Sequence, residues 1–401
     1  MYSFDKIIDR RKTASLKWDI KKDELPMWVA DMDFEVLPEI KEAILKRAEN
    51  GIYGYNIIPN EFYEAYINWW KKEHNFIIDP SWLIFSTGVV PSISSIVRRL
   101  TRPAEKVLIQ TPVYNIFFNS IYNNGRYILE SPLKYENHSY HIDFNDLEEK
   151  LSDPQTTLMI LCNPHNPIGK IWSCDELTKI VDLCFKYNVK LISDEIHCDI
   201  TSPKKSYIPL LSVSPKAKEI GIALVAPTKA FNIAGIQTSA LIIPNDTLRH
   251  YVNRGLNNDE IAEPNTFAIG AACAAFNYGH NWNLELREYI EKNKEYVISK
   301  LKATKAYPIK QDATYLMWID ISQICDDSLV LRDYIRKHTG LYLSDGASYG
   351  NAGRTFLRMN VATPYANVVD GTARLIKGIK LYSDKDYSEI KLYLDENKEK
   401  N

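Results

Sequence analysis

Short apolar runs alternate with amphipathic stretches from about residue 82 to about residue 280. Near-continuous apolar strands separated by helices are typical of a mostly parallel sheet that is covered on both faces. This part of the chain therefore predicts an α/β domain, with one of the intervening helices over Asp175–Tyr187. The predicted strands are Lys106–Gln110, Arg126–Leu129, Leu158–Leu161, Val189–Ser193, Ile222–Val225 and Ser239–Ile243.

Other patterns flank this central part. Pro38 is expected to begin a helix that ends near Gly51, and a tyrosine-bearing loop follows. After about residue 280 a charged helix and two further strands, Tyr315–Ile321 and Phe356–Val361, predict a smaller α+β domain. The predicted organisation is an N-terminal arm with part of the small domain (1–45), a large domain (46–280), a small C-terminal domain (281–385) and a charged tail (386–401).

Composition narrows the classes of protein and partner. The chain has 401 residues, a hydrophobic share of 45% and a net charge of -2, so no electrostatic argument favours nucleic acid or an anionic membrane. There is no apolar run of membrane-spanning length and no signal-like N-terminus, which predicts a cytoplasmic protein. The six cysteines are scattered and predict reduced thiols without a metal site. The 25 tyrosines and 8 tryptophans are compatible with a homodimer interface.

Polar clusters follow several of the predicted strands. A lysine, Lys229, comes directly after one apolar run, where its charge must be solvated or neutralised. The other clusters are Ser86–Ser92, Thr111–Tyr114, Cys162–Gly169 and Ser193–Asp199. Taken alone, Lys229 and Tyr114 are better explained as surface residues and Ser86–Ser92 as a helix cap. The two Asn-Pro steps of Cys162–Gly169 are a stronger signal, because an ordinary loop rarely contains both. Because the carboxyl ends of parallel strands meet at one edge of a sheet, their joint occurrence predicts a ligand site.

The residue types in these clusters match the needs of pyridoxal phosphate. Glycine at a helix start holds a phosphate, a tyrosine stacks on the ring, and an amide reaches the phenolic oxygen. A carboxylate pairs with the pyridine nitrogen, and a lysine forms a Schiff base. A nucleotide-binding alternative is weaker, since the chain contains neither a GxGxxG nor a P-loop lysine pattern.

Nearly the whole chain resembles the fold-type I pyridoxal-phosphate enzymes of the aminotransferase superfamily. Within that superfamily it is most similar to the MalY/PatB-type cystathionine β-lyases, also called C–S lyases. The resemblance rests on the motifs Tyr53-Gly54-Tyr55, Thr111-Pro112-Val113-Tyr114, Asn163-Pro164-His165-Asn166-Pro167-Ile168-Gly169, Ser193-Asp194-Glu195-Ile196-His197, and Lys229 followed by Phe231-Asn232-Ile233-Ala234-Gly235.

The resemblance implies roles around the cofactor ring. Lys229 would bind the cofactor covalently and act as the catalytic base. Asp194 would pair with the ring nitrogen, Asn166 would bond the phenolic oxygen and contact the substrate, and Tyr114 would stack on the ring. His197, which stands where many aminotransferases have a tyrosine, would also lie at the cofactor.

The resemblance also implies a phosphate site and a substrate clamp. The amides of Gly88 and Val89, together with Thr228, would hold the phosphate. Tyr55 would reach the phosphate from the neighbouring subunit, which implies a homodimer with shared active sites. Arg358 would bind the α-carboxylate of the substrate through a bidentate pair.

Two departures from the aminotransferase pattern favour elimination. Ala226 stands where a serine or threonine often precedes the lysine, and Gln237 stands where an arginine often follows it. The expected reaction is α,β-elimination of L-cystathionine or an S-substituted L-cysteine to a thiol, pyruvate and ammonia. The alternatives are an aminotransferase on the same scaffold and, less favoured, a regulator that uses this scaffold to bind a partner.

Overall fold

A computed structural model describes residues 2–384 of the chain. The charged tail predicted for 386–401 lies outside the described residues. The chain divides into two compact units. Of the described residues, unit 1 contains 2, 35–288 and 311–314, and unit 2 contains 3–34, 289–310 and 315–384.

The strands of the described residues are short, and the longest has seven residues. In chain order they are β1 (Leu25–Pro26), β2 (Leu83–Ser86), β3 (Lys106–Ile109), β4 (Tyr127–Glu130), β5 (Lys134–Glu136), β6 (Ser139–His141), β7 (Thr156–Cys162), β8 (Lys190–Asp194), β9 (Gly221–Val225), β10 (Ser239–Ile242), β11 (Tyr307–Pro308), β12 (Leu316–Asp320), β13 (Leu341–Tyr342), β14 (Ser344–Asp345) and β15 (Phe356–Asn360).

The helices of the described residues run from six to 22 residues. They are α1 (Pro38–Glu49), α2 (Asn60–Glu73), α3 (Val89–Leu100), α4 (Ile116–Tyr122), α5 (Phe144–Leu151), α6 (Cys174–Lys186), α7 (Pro215–Ile220), α8 (Asp246–Asn258), α9 (Ala268–Tyr278), α10 (His280–Leu301), α11 (Ser328–Thr339) and α12 (Tyr365–Ser383). In the part of the chain that they cover, no helix combines the length and the apolar character that crossing a membrane requires.

Unit 1 is built on a seven-stranded sheet with the order β2-β10-β9-β8-β7-β3-β4. The pairs β9–β8, β8–β7, β7–β3 and β3–β4 are parallel, whereas β10 runs antiparallel to both of its neighbours. The mostly parallel α/β sheet predicted from the apolar runs is therefore confirmed. All six predicted strands are present, and their bounds differ from the prediction by at most two residues.

The core of unit 1 lies between the sheet and the helices that connect its strands. Helix α3 repeats apolar residues at helical spacing, so that Ile93, Ile96 and Val97 are fully buried on one face. This face packs with side chains of the central strands, among them Ile160 and Leu224. Burial of each such side chain contributes roughly 1.5–3 kcal/mol, and the packed layer fixes the strands whose ends carry the polar clusters.

Unit 2 contains a four-stranded antiparallel sheet with the order β11-β12-β15-β14. Strand β1 pairs separately with β13 in parallel. The central strand β15 is buried over its whole length, which includes the charged residue Arg358. The N-terminal arm belongs to this unit: Asp33 accepts hydrogen bonds from Trp18 and Lys17 and pairs with Arg10. The four-part division predicted from sequence stays a prediction.

Candidate active site

Three consecutive strand ends of unit 1 bring the predicted cofactor residues to one edge of the sheet. Strands β7, β8 and β9 are parallel neighbours; Asp194 is the last residue of β8, and Asn166 and Lys229 lie in the turns after β7 and β9. The register pairs Cys162 with Asp194 and Asp194 with Leu224, so the three strands end at the same level. The lysine and the carboxylate, which are 35 positions apart in sequence, thus leave adjacent strands.

Asp194 is a buried acid at this edge with a strongly raised pKa. Its side chain is buried, and one oxygen accepts a hydrogen bond from the Ile196 N–H at 3.2 Å. The pKa of Asp194 is raised from the ordinary 3.8 to about 7, mainly by burial and also by the neighbouring Glu195 charge, while the Ile196 hydrogen bond and the Lys229 charge lower it. A buried carboxylate of this kind is stabilised by a cationic group, and a protonated pyridine nitrogen is such a group.

Lys229 lies in the turn that follows β9. The side chain is half-buried, and backbone hydrogen bonds from Phe231 to Pro227 O (2.9 Å) and from Ile233 to Thr228 O (3.0 Å) fix the turn around it. Its positive charge acts on Asp194 across the end of the sheet. A partly buried amine beside a buried carboxylate suits covalent binding of a carbonyl cofactor.

The turn from Asn163 to Gly169 is rigidly held. The Asn163 N–H donates to Asp194 O at 2.9 Å, and the Asn166 N–H donates to the Cys162 Sγ at 3.3 Å. His165 is fully buried, its Nε2 is 2.8 Å from Pro112 O, and burial lowers its pKa to about 4, so the imidazole is neutral at neutral pH. The peptide bonds before Pro112, Pro164 and Pro167 are cis. Asn166 is buried in this turn after β7.

Gly169 closes this turn in a conformation that favours glycine. Its φ is +65°, and a Cβ atom there would lie 2.6 Å from the Gln311 Cβ and 2.7 Å from Ala313 O. The Gly169 carbonyl accepts hydrogen bonds from the N–H groups of Asp312 and Ala313. The close approach of the two segments therefore depends on the missing side chain.

The predicted phosphate residues lie at the start of α3 and beside the lysine. Gly88 is the N-cap residue of α3, and no side chain of the described residues caps that first turn. Val89 is buried at the first helical position, and Thr228 is buried directly before Lys229. Free N–H groups at a helix start attract phosphate, so the local structure suits the predicted anion cradle.

The other predicted residues differ in their surroundings. Tyr114 is half-buried after β3 and packs edge-on against Phe117, with ring centroids 5.9 Å apart. His197 is buried in the turn after β8. Tyr55 is fully exposed within unit 1 and lies in a segment without regular secondary structure.

Arg358 lies in unit 2, on the central strand β15. Its guanidinium donates to Trp28 O at 2.8 Å and to Ser344 Oγ at 3.4 Å, and it stands 4.9 Å from the centre of the Tyr349 ring. Only 5% of the residue is exposed. The guanidinium is therefore held in a fixed orientation, which a bidentate carboxylate clamp requires.

Sequence reasoning missed two buried polar clusters of unit 1. In the first, Glu195 accepts hydrogen bonds from several residues that are distant in sequence. In the second, Asp199 Oδ1 accepts a hydrogen bond from the Trp69 Nε1–H at 2.9 Å and lies 2.8 Å from the His74 Nε2. A ring nitrogen of His74, the Cys198 Sγ and a carboxylate oxygen of Asp199 lie within 4.8 Å of one another. Spacing along the sequence does not predict either cluster. The Asp199 cluster joins residues more than a hundred positions apart, and the Glu195 cluster joins segments that follow two different strands.

The donor set at the sheet edge fits pyridoxal phosphate. Asp194 is a buried carboxyl whose pKa burial raises, and Lys229 is an amine in the turn that follows the adjacent strand. Asn166 is a buried amide in the turn after β7, and the first turn of α3 offers N–H groups for a phosphate. Together these groups provide what the ring nitrogen, the carbonyl carbon, the phenolic oxygen and the phosphate of that cofactor need.

The fold and this edge define a class of protein, and the comparisons with known proteins agree. Residues 22–375 match the family model described as aminotransferase class I and II, so the chain belongs to that family. The chain is 39% identical over 381 residues to cystathionine beta-lyase PatB of Bacillus subtilis, covering 93% of this chain and 98% of that protein. It is 33% identical to protein MalY of Escherichia coli, covering 95% and 99%. The predicted MalY/PatB resemblance is confirmed.

A solved structure supports the same conclusion about the fold. The PLP-bound putative aminotransferase from Clostridium difficile 630 has a TM-score of 0.92 and 37% sequence identity, and the match covers 94% of this chain and 100% of that one. The chain therefore has the fold of the pyridoxal-phosphate-dependent aminotransferases, as the motifs predicted.

Proposed function

We propose that this chain is a pyridoxal-phosphate-dependent carbon–sulfur β-lyase that converts L-cystathionine or an S-substituted L-cysteine into a thiol, pyruvate and ammonia. The observation that carries the proposal is the placement of Asp194 and Lys229 at the ends of adjacent parallel strands, where the lysine charge acts on the carboxyl. The name of PatB, a cystathionine beta-lyase that matches this chain over nearly its whole length, supports the reaction type. Within this reaction type, we propose that the chain acts as a cystathionine β-lyase or a cysteine-S-conjugate β-lyase.

The chemistry of the cofactor and that of the chain are complementary. Bound pyridoxal phosphate supplies a carbonyl carbon for the substrate amine and a ring that takes up the electron pair from Cα. Asp194 holds a proton at the ring nitrogen, because its raised pKa makes it a good partner for a cation. Asn166 donates to the phenolic oxygen, Tyr114 stacks on the ring, and His197 lines the cofactor from the turn after β8.

Lys229 has two roles in the proposal. Its Nζ would hold the cofactor covalently in the resting protein and would be a free amine once the substrate is bound. That amine would accept the proton from Cα; the bond between Cβ and sulfur breaks, the sulfur leaves as a thiol after taking up a proton, and one water converts the remaining three-carbon fragment into pyruvate and ammonia. Arg358 binds the α-carboxylate and, with Asn166, orients the substrate so that the Cα proton points to Lys229.

The phosphate is held by the Gly88 and Val89 amides and by Thr228 in the proposed complex. A second copy of the chain is proposed to complete this site with Tyr55. The support is the exposed apolar segment around this tyrosine, in which Ile52 is 73% exposed and Ile57 82%. Large apolar side chains in such a segment are stabilised when a partner subunit covers them, which favours a homodimer. The cytoplasmic location stays a prediction.

A substrate panel tests the reaction type. L-cystathionine, S-methyl-L-cysteine and L-cysteine are incubated with the holoenzyme in the absence of any 2-oxo acid, and pyruvate and thiol are measured together. Equimolar pyruvate and thiol support elimination. Absence of both products, with amino-group transfer once a 2-oxo acid is added, would support an aminotransferase instead. The name of the Clostridium difficile relative, a putative aminotransferase, is the observation that keeps this alternative in the test.

Lys229→Ala tests the central residue of the proposal. The variant is expected to lose the visible absorbance of the bound cofactor and nearly all turnover, because the Nζ is both the attachment point and the base. Lys218→Ala is the matched control, since that lysine of unit 1 lies exposed over the Trp82 ring, 5.3 Å from its centre. Retention of both properties in Lys229→Ala would refute the assignment.

A further inference from the structure

A second buried carboxylate follows Asp194 at the end of β8. Glu195 is only 1% exposed, yet its side chain is surrounded by donors. Oε1 accepts from Ser193 Oγ at 2.8 Å and from the Leu210 N–H at 3.0 Å, and the Tyr207 hydroxyl donates to Oε2. A carboxyl that is withdrawn from water is retained only when such partners compensate its desolvation.

The donors of Glu195 come from strand β8, from the Asn163 turn that also carries Asn166, and from the Tyr207–Leu210 loop. Asn163 Nδ2 lies 3.5 Å from Glu195 Oε1 and donates to Ile208 O at 3.0 Å, so the carboxylate, the Asn163 turn and the Tyr207–Leu210 loop form one network. The Glu195 N–H also donates to Leu224 O at 2.9 Å, which ties the end of β8 to β9. The network therefore sets the positions of the backbone on both sides of Asp194.

The charge of Glu195 acts on its neighbour as well. The two carboxyls are adjacent in sequence and buried, so little solvent screens their interaction. The negative charge of Glu195 raises the pKa of Asp194, and burial raises the pKa of Glu195 itself, which its four donors counteract. Titratable groups facing this pair or Tyr207 are Cys162, Cys198, Asp199, His74 and Lys229.

We propose that Glu195 is a positioning residue that holds Asp194 against the cofactor and supplies a negative charge that keeps a proton between Asp194 and the ring nitrogen. This proposal rests on the proposed binding of pyridoxal phosphate at Asp194 and Lys229. It does not require that the substrate be a sulfur amino acid. Glu195 acts through Asp194 and through the Asn163 turn, and its role is one of geometry and charge.

The test compares Glu195→Gln with a matched control. Glutamine keeps the shape of the side chain and removes its charge, whereas Glu148→Gln removes a charge from an exposed ion pair with Lys186 in the same unit. Two quantities are measured on the holoenzymes: the pH midpoint of the visible absorbance of the bound cofactor, and the dissociation constant of pyridoxal phosphate by equilibrium dialysis. Neither measurement depends on turnover, so a failure of the proposed lyase reaction stays distinguishable from a failure of this inference.

In Glu195→Gln the midpoint is expected to fall by about one pH unit and the dissociation constant to rise about tenfold, because a buried negative charge near the cation is lost. Glu148→Gln is expected to change neither. Glu195→Asp keeps the charge and is expected to hold a midpoint closer to that of the unaltered protein. The proposal would be overturned if folded Glu195→Gln kept the midpoint and the cofactor affinity of the unaltered protein. It would also be overturned if Glu195→Asp shifted the midpoint by at least as much as Glu195→Gln does.

Tyr207→Phe covers the case in which Glu195→Gln does not fold. The variant retains Glu195 and removes one donor that lowers its pKa, so the pKa of Glu195 rises and its negative charge is present over a smaller range of pH. The cofactor midpoint is then expected to move in the same direction as in Glu195→Gln by a smaller amount. An unaltered or raised midpoint in folded Tyr207→Phe would overturn the proposal.

Discussion

Asp194 is expected to destabilise the protein when the cofactor is removed. Its ionised form is buried, and burial together with the neighbouring Glu195 charge raises its pKa to about 7 in the folded chain. Asp194→Asn replaces this carboxyl by a neutral side chain of the same shape, whose carbonyl oxygen can still accept the Ile196 N–H. We therefore expect the cofactor-free variant to be more stable than the cofactor-free original at neutral and alkaline pH.

The magnitude follows from the difference between the folded and the ordinary pKa of Asp194. The folded value of about 7 exceeds 3.8 by about three units, and each unit corresponds to about 1.4 kcal/mol. A raised acid pKa contributes stability that is present in full below the unfolded value and is lost as pH rises through the folded value. The advantage of Asp194→Asn is thus expected to grow from near zero around pH 4 to about 4 kcal/mol above pH 8.

Urea unfolding of the two cofactor-free proteins between pH 5 and pH 9 measures this difference. The free energy of unfolding is extrapolated to water at each pH, and Glu148→Gln serves as the control for loss of an exposed carboxyl. Addition of pyridoxal phosphate should reverse the order, because Asp194→Asn loses the charge that binds the ring nitrogen. A cofactor-free Asp194→Asn that is less stable than the original protein at pH 8 would refute the reasoning.

Three further changes test other parts of the site. Arg358→Lys is expected to raise KM for the amino-acid substrate about a hundredfold, measured by steady-state pyruvate release, because an ammonium cannot reproduce a bidentate carboxylate pair. Gly169→Ala is expected to lower the free energy of unfolding by about 3 kcal/mol in urea titrations, since the added Cβ would meet Gln311 and Ala313 at under 3 Å in a positive-φ conformation. Tyr55→Phe is expected to weaken cofactor binding about tenfold by equilibrium dialysis, with an unaltered midpoint of thermal unfolding, because the hydroxyl is fully exposed within its own chain.

Each of these results has a clear opposite. An Arg358→Lys variant with unaltered KM would remove the carboxylate clamp from the proposal. A Gly169→Ala variant as stable as the original would mean that the Gln311 segment can shift without loss. Unaltered cofactor affinity in Tyr55→Phe would argue against a contribution of this residue to a partner subunit's site.

Local sequence determined the strands and the residue types at their ends. The apolar runs before Asn163, Asp194 and Lys229 are long enough and apolar enough to be read as buried strands, and each is followed by polar residues of the types that a cofactor site requires. The order of these polar residues along the chain was therefore sufficient to predict the cofactor, and the motifs around them were sufficient to predict the family.

The pairing of the strands was decided by tertiary structure. Strand β10 follows β9 directly but runs antiparallel to it and pairs with β2 on its other side, at a distance of more than 150 residues in sequence. An apolar run specifies that a strand is buried and leaves its direction and its neighbours open, since either direction satisfies the backbone hydrogen bonds.

The sequence also leaves open how the charged residues of the site affect one another. The sequence by itself determined that Asp194 and Lys229 follow buried strands of an α/β sheet. Only the folded chain decided that those strands are neighbours, that burial brings the pKa of Asp194 to about 7, and that Glu195 is enclosed by donors from Asn163 and Tyr207. Desolvation and Coulomb interactions depend on distances and burial in space, and residues that are far apart in sequence set both.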